Sequence, residues 1–176
     1  MTNILVIPDI HGRTFWKEPI AHKKDFDHIV FLGDYFDPYP SESITQQDAI
    51  ENFKELVNSF IEEELEYKVE FLLGNHDGHY LYDIPEASRL AKNPTINKEI
   101  TSLLTNLRDK NQLKINTWIT IKNTTYLFTH AGINKDWADR HPELCNVNYS
   151  GMLYQKFNNS PTTIDLIPNV YINWES

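Results

Sequence analysis

Three short apolar runs in the first half of the chain constrain its fold more than any other feature. They read ILVI at 4–7, IVFL at 29–32 and, nearly uninterrupted, VEFLL at 69–73. Runs of this kind are typical of strands that are buried on both faces, as in a sheet covered by helices. Apolar residues at helical spacing over 45–65 predict a helix between the second and third runs, starting near Thr45. Strand, helix and strand in this order indicate a βαβ crossover and therefore the α/β class.

The remainder of the chain predicts further elements but no second domain. Helical spacing recurs over 98–110, and alternation over 113–132 predicts an antiparallel hairpin that turns near Asn123. Two further short helices are expected, around Trp137 and over 152–157. The sequence has 176 residues and shows no linker or internal repeat, so we predict a single domain over 1–176.

The composition narrows the classes of function. A formal net charge of −9 argues against tight binding to a nucleic-acid backbone, which Lys and Arg side chains would have to neutralise. The sequence has no apolar run of membrane length and no signal peptide, so we expect no membrane partner. Cys145 is the only cysteine and cannot form an internal disulfide, which favours a reducing, cytoplasmic location.

Polar side chains follow each of the three runs at the point where it ends, and again follow the second hairpin strand. In chain order they are Asp9 and His11, Asp34 and Asp37, Asn75, His76, Asp77 and His79, and finally His130. Ligands of parallel α/β sheets bind beyond the carboxyl ends of the strands, so the four groups predict one site. Asp, His and Asn side chains without a thiolate suit Mn, Fe, Zn or Mg. Crowded carboxylates would also repel one another unless cations lay between them.

The motifs that carry these residues resemble those of the calcineurin-like metallophosphoesterases. They are D-x-H, G-D-x-x-D, G-N-H-D and a later His in HAG, and they extend from Asp9 to Gly132. The contexts DIHG and FTHAGI are most similar to the branch that contains serine/threonine protein phosphatases and bacterial diadenosine tetraphosphatases. The resemblance implies a four-layer αββα sandwich with mixed sheets. It also implies a centre of two divalent metal ions, with Mn expected before Fe, Zn or Mg.

The resemblance implies a ligand role for five residues. Asp9 and His11 would bind the first metal, and Asp34 would bridge the two metals. Asn75 and His130 would bind the second metal, and Asn75 is also expected to contact the substrate. A hydroxide bound to the metals would then attack phosphorus in line, without a covalent enzyme intermediate.

Other roles are implied for residues around the third motif. His76 would be the general acid, and Asp37 would orient it. Asp77 is expected to brace the turn, as Asp residues often do. His79 could support a metal ligand or contact the substrate, but we expect it to be a solvated histidine.

Substrate binding departs from the pattern of the protein phosphatases. Those enzymes carry an Arg directly after the second motif, where this chain has Pro38. We therefore expect Arg13, which follows the first motif, to bind the substrate phosphate. The other arginines that could take this role are Arg89, Arg108 and Arg140.

The end of the sequence departs from the family pattern as well. The family has a late Gly-His motif that supplies further metal ligands, and this chain has no Gly-His after His130. The sequence stops at NVYINWES, which looks like the middle of a domain. Either the domain is truncated at its C-terminus, or the site has lost a ligand.

Two main function hypotheses follow. The first is a metal-dependent phosphoesterase that hydrolyses phosphomonoesters or phosphoanhydrides of a phosphorylated small molecule, a nucleotide or a phosphoprotein. The second is a catalytically silent binding module or an inactive fragment, which the absent Gly-His motif favours. The retained His76–Asp37 pair favours the enzyme, because a binding module needs no proton donor. A nuclease is disfavoured by the net charge and by the lack of a basic stripe.

Overall fold

A five-stranded parallel sheet lies at the centre of the fold in the computed structural model, which describes residues 2–82, 93–131 and 170–172. Its strands are β1 (Ile4–Ile7), β2 (His28–Phe31), β3 (Val69–Leu72), β4 (Leu113–Lys114) and β7 (Val170–Ile172). They lie in the order β4-β3-β2-β1-β7, and the neighbouring pairs are parallel. The α/β class and the parallel sheet predicted from the three apolar runs are confirmed.

An antiparallel hairpin forms a second sheet. It consists of β5 (Asn116–Ile121) and β6 (Thr124–Thr129), and it turns next to Asn123, as predicted. The predicted hairpin also included Leu113 and Lys114, which is wrong, because these two residues form β4 beside β3. Leu113 packs into the core on the helix side of the parallel sheet. The burial of Leu113 in that core outweighs the alternating pattern that suggested a hairpin strand.

Four α-helices lie in the described ranges: α1 (Lys17–Ile20), α2 (Gln46–Ile61), α3 (Asn75–Tyr82) and α4 (Pro94–Asp109). Helix α2 confirms the helix predicted over 45–65, although it ends earlier. Helix α4 starts before the predicted residue 98, because the Asn93 side chain caps its first turn and Pro94 suits the first helical position. None of the helices in these ranges is long and apolar enough to cross a membrane.

Strands β1, β2 and β3 are buried on both faces of the parallel sheet, and their alternate residues point to opposite sides. One face packs against the helices in a core that includes Leu5, Ile7, Phe31, Phe71, Phe53, Leu56 and Leu104. The other face packs against the hairpin through Ile4, Val6, Val30, Leu72, Ile119, Ile121 and Phe128. The described residues therefore form three layers: helices, parallel sheet and hairpin. The helices predicted around Trp137 and over 152–157 lie outside the described residues.

A capping box closes the N-terminus of α2. The Thr45 hydroxyl accepts a bond from the Asp48 N–H at 3.1 Å, and the Asp48 carboxylate accepts one from the Thr45 N–H at 2.9 Å. The bonds from the Thr45 side chain and backbone lower the pKa of Asp48. The cap fixes the start of α2, where the next residue, Gln46, forms hydrogen bonds with Asp37.

Replacement of the cap tests how far it stabilises the fold. We expect Thr45→Ala to lower the free energy of unfolding by about 1 kcal/mol, since one N–H of the first turn loses its partner. The folded state lowers the pKa of Asp48, so the ionised carboxylate stabilises the fold. This stabilisation is fully present at pH values above the ordinary pKa of 3.8 and is lost as the pH falls through the lowered pKa. Urea denaturation of both proteins at neutral and acidic pH measures this difference. Thr95→Ala, an exposed change in the first turn of α4, is the control, and an equal effect of the two substitutions would contradict the capping role.

Candidate metal centre

The loops after β2 and β3 approach each other through a pair of glycines. A Cβ on Gly33 would lie 2.5 Å from the Gly74 backbone nitrogen, and one on Gly74 would overlap the Asp34 carboxylate. Gly33 also has a φ of +114°, which side-chain-bearing residues rarely adopt. The two glycines therefore allow Asp34 and Asn75, which follow them in the chain, to lie at one edge of the sheet.

Asp77 ties these two loops together. Its fully buried carboxylate accepts N–H bonds from Asp34 at 2.7 Å, Tyr35 at 2.9 Å and Gly74 at 3.1 Å. Burial raises the pKa of Asp77 to about 8 and the charge of Asp34 contributes to the rise, whereas the backbone N–H donors act in the opposite direction. Both oxygens receive backbone donors, which fits a carboxylate and confirms the predicted brace of the turn.

Three of the predicted site residues have left-handed backbone conformations. The φ angles are 48° at His11, 52° at Asp34 and 57° at Asp37. This region costs conformational energy for any residue with a Cβ, although Asp and His enter it more readily than most. Loop contacts maintain it here, including a bond from the His11 N–H to the Asp34 carbonyl at 2.6 Å. Backbone strain of this kind is concentrated where the direction of a side chain matters for function.

The atoms with which the five predicted ligand residues would bind metal converge at the carboxyl ends of the strands. Asp34 Oδ2 lies 3.5 Å from His11 Nε2 and 3.6 Å from His130 Nε2. His130 Nε2 is also 2.9 Å from Asn75 Oδ1. The ligand atoms of Asp9, His11 and Asp34 all lie within 4.8 Å of one another. The structure thus brings together side chains from the ends of β1, β2, β3 and β6, which the sequence had placed in one site.

The orientation of the two histidines fits a bound cation. His11 Nδ1 lies 3.0 Å from the Phe36 carbonyl oxygen, and His130 Nδ1 lies 2.9 Å from the Leu32 carbonyl oxygen. A carbonyl oxygen can only accept, so each Nδ1 donates, and each Nε2 is directed towards Asp34 Oδ2. In the neutral form of each ring, this Nε2 is the atom that could bind a cation together with the Asp34 carboxylate. Histidine ligands of metals are commonly held by such a bond from the second ring nitrogen.

Asp9 lies at the rim of this cluster. Its side chain is 48% exposed, and its Oδ1 is 3.7 Å from His130 Nδ1. Partial burial raises the pKa of Asp9 and the charge of Asp34 raises it further, whereas His130 and His11 lower it. Desolvation is the main cause of the raised pKa, and a bound cation would offset both the desolvation and the smaller effect of the Asp34 charge.

A second cluster adjoins the first and consists of Asp37, His76 and His79. Asp37 is fully buried, and its Oδ2 lies 3.1 Å from His76 Nδ1 and 3.6 Å from His79 Nε2. The rings of His76 and His11 are in edge contact, with centroids 5.3 Å apart. The expectation that His79 is solvated is wrong, because the side chain faces inwards from α3 and its ring lies 4.0 Å from that of Tyr80.

Two residues that sequence reasoning missed also bind Asp37. The Tyr80 hydroxyl donates to Asp37 Oδ1 at 2.6 Å, and Gln46 Nε2 donates to the same oxygen at 3.1 Å. Tyr80 lies four residues after His76, so a helix that starts at Asn75 places both on one face. Gln46 carries no comparable signal, because its position beside Asp37 depends on how α2 packs.

The arginine predicted to bind phosphate is held by protein groups near the cluster. The Arg13 guanidinium donates to Glu42 at 2.7 and 2.9 Å, and it lies 5.1 Å from the centroid of the Tyr39 ring. Tyr39 is in turn in edge contact with His11. Phosphate binding by Arg13 therefore stays a prediction. The other arginines are Arg108, which pairs with Asp109, and Arg89 and Arg140, which lie outside the described residues.

Comparison with known families agrees with this geometry. A profile of the family described as calcineurin-like phosphoesterase matches residues 2–174. The chain therefore belongs to the calcineurin-like phosphoesterase family. No curated protein matches the chain. Members of the family are generally dinuclear metal hydrolases, which is consistent with the two Asp/His clusters.

Removal of the central carboxylate separates its structural effect from its effect on metal binding. Asp34→Asn keeps an acceptor for the His76 N–H and removes a buried charge beside Asp9 and Asp77. In chelator we expect the melting temperature to rise by about 2–4 °C, equivalent to ~1 kcal/mol. Added Mn²⁺ should raise the melting temperature of the wild type but not that of the variant.

Asp25→Asn, which changes an exposed carboxylate, is the control for this experiment and should alter neither response. If Mn²⁺ stabilised Asp34→Asn as strongly as the wild type, Asp34 would not be a ligand. If the variant melted lower than the wild type in chelator, the argument from carboxylate crowding would be wrong.

The brace of the two loops can be tested separately. Asp77→Asn replaces one acceptor oxygen by an NH₂ group, which then faces backbone N–H donors in a buried place. We expect the free energy of unfolding to fall by about 3 kcal/mol, measured by urea denaturation in chelator. Asp109→Asn, at the exposed end of α4, is the control. Unchanged stability of Asp77→Asn would mean that the carboxyl group is protonated in the fold, contrary to its hydrogen bonds.

Proposed function

We propose that the chain is a metal-dependent phosphoesterase that hydrolyses phosphomonoesters or phosphoanhydrides. The observation that carries this proposal is that the Nε2 atoms of His11 and His130 converge on Asp34 Oδ2. The His76 ring, which is held by the buried Asp37, lies directly beside them. Carboxylate and imidazole groups are ligands that divalent cations bind, and a histidine that can donate a proton lies directly beside them. Membership of the calcineurin-like phosphoesterase family supports the same reading.

Five residues would hold two divalent ions, with Mn²⁺ proposed first: Asp9, His11, Asp34, Asn75 and His130. When bound, the ions would supply positive charge for phosphate oxygens and Lewis acidity towards water. The protein orients the carboxylate at the centre of the set. Asp34 Oδ1 accepts a bond from the His76 N–H at 2.8 Å, which directs Oδ2 towards the histidines.

His76 would protonate the leaving oxygen of the substrate. Its Nδ1 faces Asp37, so Nε2 lies on the opposite side of the ring and is the atom that can reach a substrate. The His76 side chain is 13% exposed and contacts His11, which places the proton donor next to the metal ligands. A positioned general acid accelerates such reactions by about 10²–10⁴-fold.

The architecture, the branch of the family, the substrate class and the location are also proposed. We propose that the three described layers are part of a four-layer αββα sandwich and that 1–176 forms one domain. The DIHG and FTHAGI contexts favour the branch of the serine/threonine protein phosphatases and diadenosine tetraphosphatases. The substrate would then be a phosphorylated small molecule, a nucleotide or a phosphoprotein, in a reducing, cytoplasmic location.

A catalytically silent binding module is the second candidate. The sequence after His130 contains no Gly-His pair, which in this family supplies further ligands. Such a module would keep the fold and its partner-binding surface without turnover.

Hydrolysis of p-nitrophenyl phosphate with added Mn²⁺ distinguishes the two candidates. We expect His76→Ala to lower kcat by about 10²-fold, at the low end of a general-acid effect, because this substrate has a good leaving group. Asp34→Asn should abolish turnover, because it removes the carboxylate that lies beside His11 and His130. His22→Ala replaces an exposed histidine and should leave the rate unchanged. A missing rate, or a trace rate that neither variant alters, would contradict the enzyme and favour the silent module.

A further inference from the structure

We propose that Tyr80 and Gln46 are positioning residues that direct the carboxylate of Asp37 to His76 instead of His79. The inference rests on the proposed function, because it concerns the proton donor of that reaction. It identifies two residues that would control proton donation without touching the substrate.

The two oxygens of Asp37 have different partners. Oδ1 accepts from the Tyr80 hydroxyl at 2.6 Å and from Gln46 Nε2 at 3.1 Å. Oδ2 lies 3.1 Å from His76 Nδ1 and 3.6 Å from His79 Nε2. The bonds to Oδ1 therefore set the rotation of the carboxylate, and that rotation determines where Oδ2 points.

Gln46 binds Asp37 at two points. Its Oε1 accepts from the Asp37 backbone N–H at 3.1 Å while its Nε2 donates to Oδ1. Gln46 Nε2 also forms a hydrogen bond with the Tyr80 hydroxyl. The backbone and the side chain of Asp37 are thus fixed by one amide, at a residue whose φ of 57° is itself strained. Gln46 is the first residue of α2 and lies within the capping box formed by Thr45 and Asp48, so its own backbone is well held.

His79 is the competing partner for Asp37. His76, His79 and Tyr80 lie at positions i, i+3 and i+4 of α3, so all three face the same carboxylate. The His79 ring is buried and its Nε2 is only 0.5 Å farther from Oδ2 than His76 Nδ1 is (3.6 Å against 3.1 Å). Without the bonds to Oδ1, a small rotation of the carboxylate would favour His79 and leave the His76 ring without its orienting partner.

The expected chemical consequence is specific to the leaving group. In the proposed step, the Nε2–H proton of His76 moves to the leaving oxygen as the P–O bond breaks, and the electron pair of that bond stays on the oxygen. A poorly oriented His76 slows this transfer most when the leaving oxygen is strongly basic. A change in substrate binding or in overall folding would affect good and poor leaving groups alike.

Kinetics with two substrates tests the proposal. For Tyr80→Phe, which removes only the hydroxyl, we expect kcat on phenyl phosphate to fall about tenfold. The loss on p-nitrophenyl phosphate should be less than about threefold, with KM unchanged on both. Gln46→Met should act in the same direction. Tyr35→Phe is the matched control, because it removes another buried tyrosine hydroxyl bond, to the Leu72 carbonyl, without touching Asp37.

A spectroscopic measurement on the metal-free chain tests the geometry without turnover. In ¹⁵N-histidine spectra, we expect a hydrogen-bonded Nδ1–H signal from His76 in the wild type and in Tyr35→Phe. This signal should be shifted or lost in Tyr80→Phe.

The outcomes separate this inference from the proposed function. Equal kinetic losses on both substrates, or a His76 signal that Tyr80→Phe leaves unchanged, would overturn the positioning role. An inactive wild type whose His76 signal still responds to Tyr80→Phe would refute the phosphoesterase and support the positioning.

Discussion

The carboxylate of Asp77 holds two loops against each other, and the arrangement of the site depends on it. One side chain accepts backbone N–H bonds from Gly74 in one loop and from Asp34 and Tyr35 in the other. A buried backbone N–H that loses its hydrogen-bond partner costs about 1–3 kcal/mol, so the three donors depend on this one side chain. Asp77 thereby fixes the distance between the ends of β2 and β3, and the glycines on both sides make that distance possible.

The site concentrates features that are unfavourable for folding. Asp34, Asp37 and Asp77 are all buried, and Asp34 and Asp37 also have positive φ angles. Burial of a carboxylate is tolerated only where donors surround it, and each of these three has backbone or side-chain donors. A domain is stable by only about 5–15 kcal/mol, so such an arrangement is retained where function requires it.

The part of the fold that could be read from the sequence is the part with a strong period. Runs such as ILVI and IVFL are buried on both faces, and the polar residues after them lie at one edge because parallel strands end together. The two-residue strand β4 could not be found, because two residues show no period. The start of α4 was predicted at residue 98 and was wrong, although Asn93 and Pro94 carry the chemical signals of a cap and a first helical residue.

Within the site, the sequence predicted the candidate metal ligands but not the residues that position them. Motif spacing identified the residues that converge on Asp34, since strand ends place them. The burial of His79 and the contacts of Tyr80 with Asp37 follow from the helical phase of α3, a consequence that motif spacing does not express. The partnership of Gln46 and Asp37 depends on the packing of α2, which local sequence does not determine.

His130 follows a strand of the hairpin, whereas the other candidate ligands follow strands of the parallel sheet. It follows β6 of the hairpin, and its ring binds the carbonyl oxygen of Leu32, which is 98 residues away in the chain. Contacts over so large a separation close long loops, which costs conformational entropy. The first three strands and their loops hold Asp9, His11, Asp34 and Asn75, and the docked hairpin adds His130. Among the described residues, His130 is the imidazole that the hairpin contributes to the proposed metal centre, so we expect docking of the hairpin to increase metal affinity.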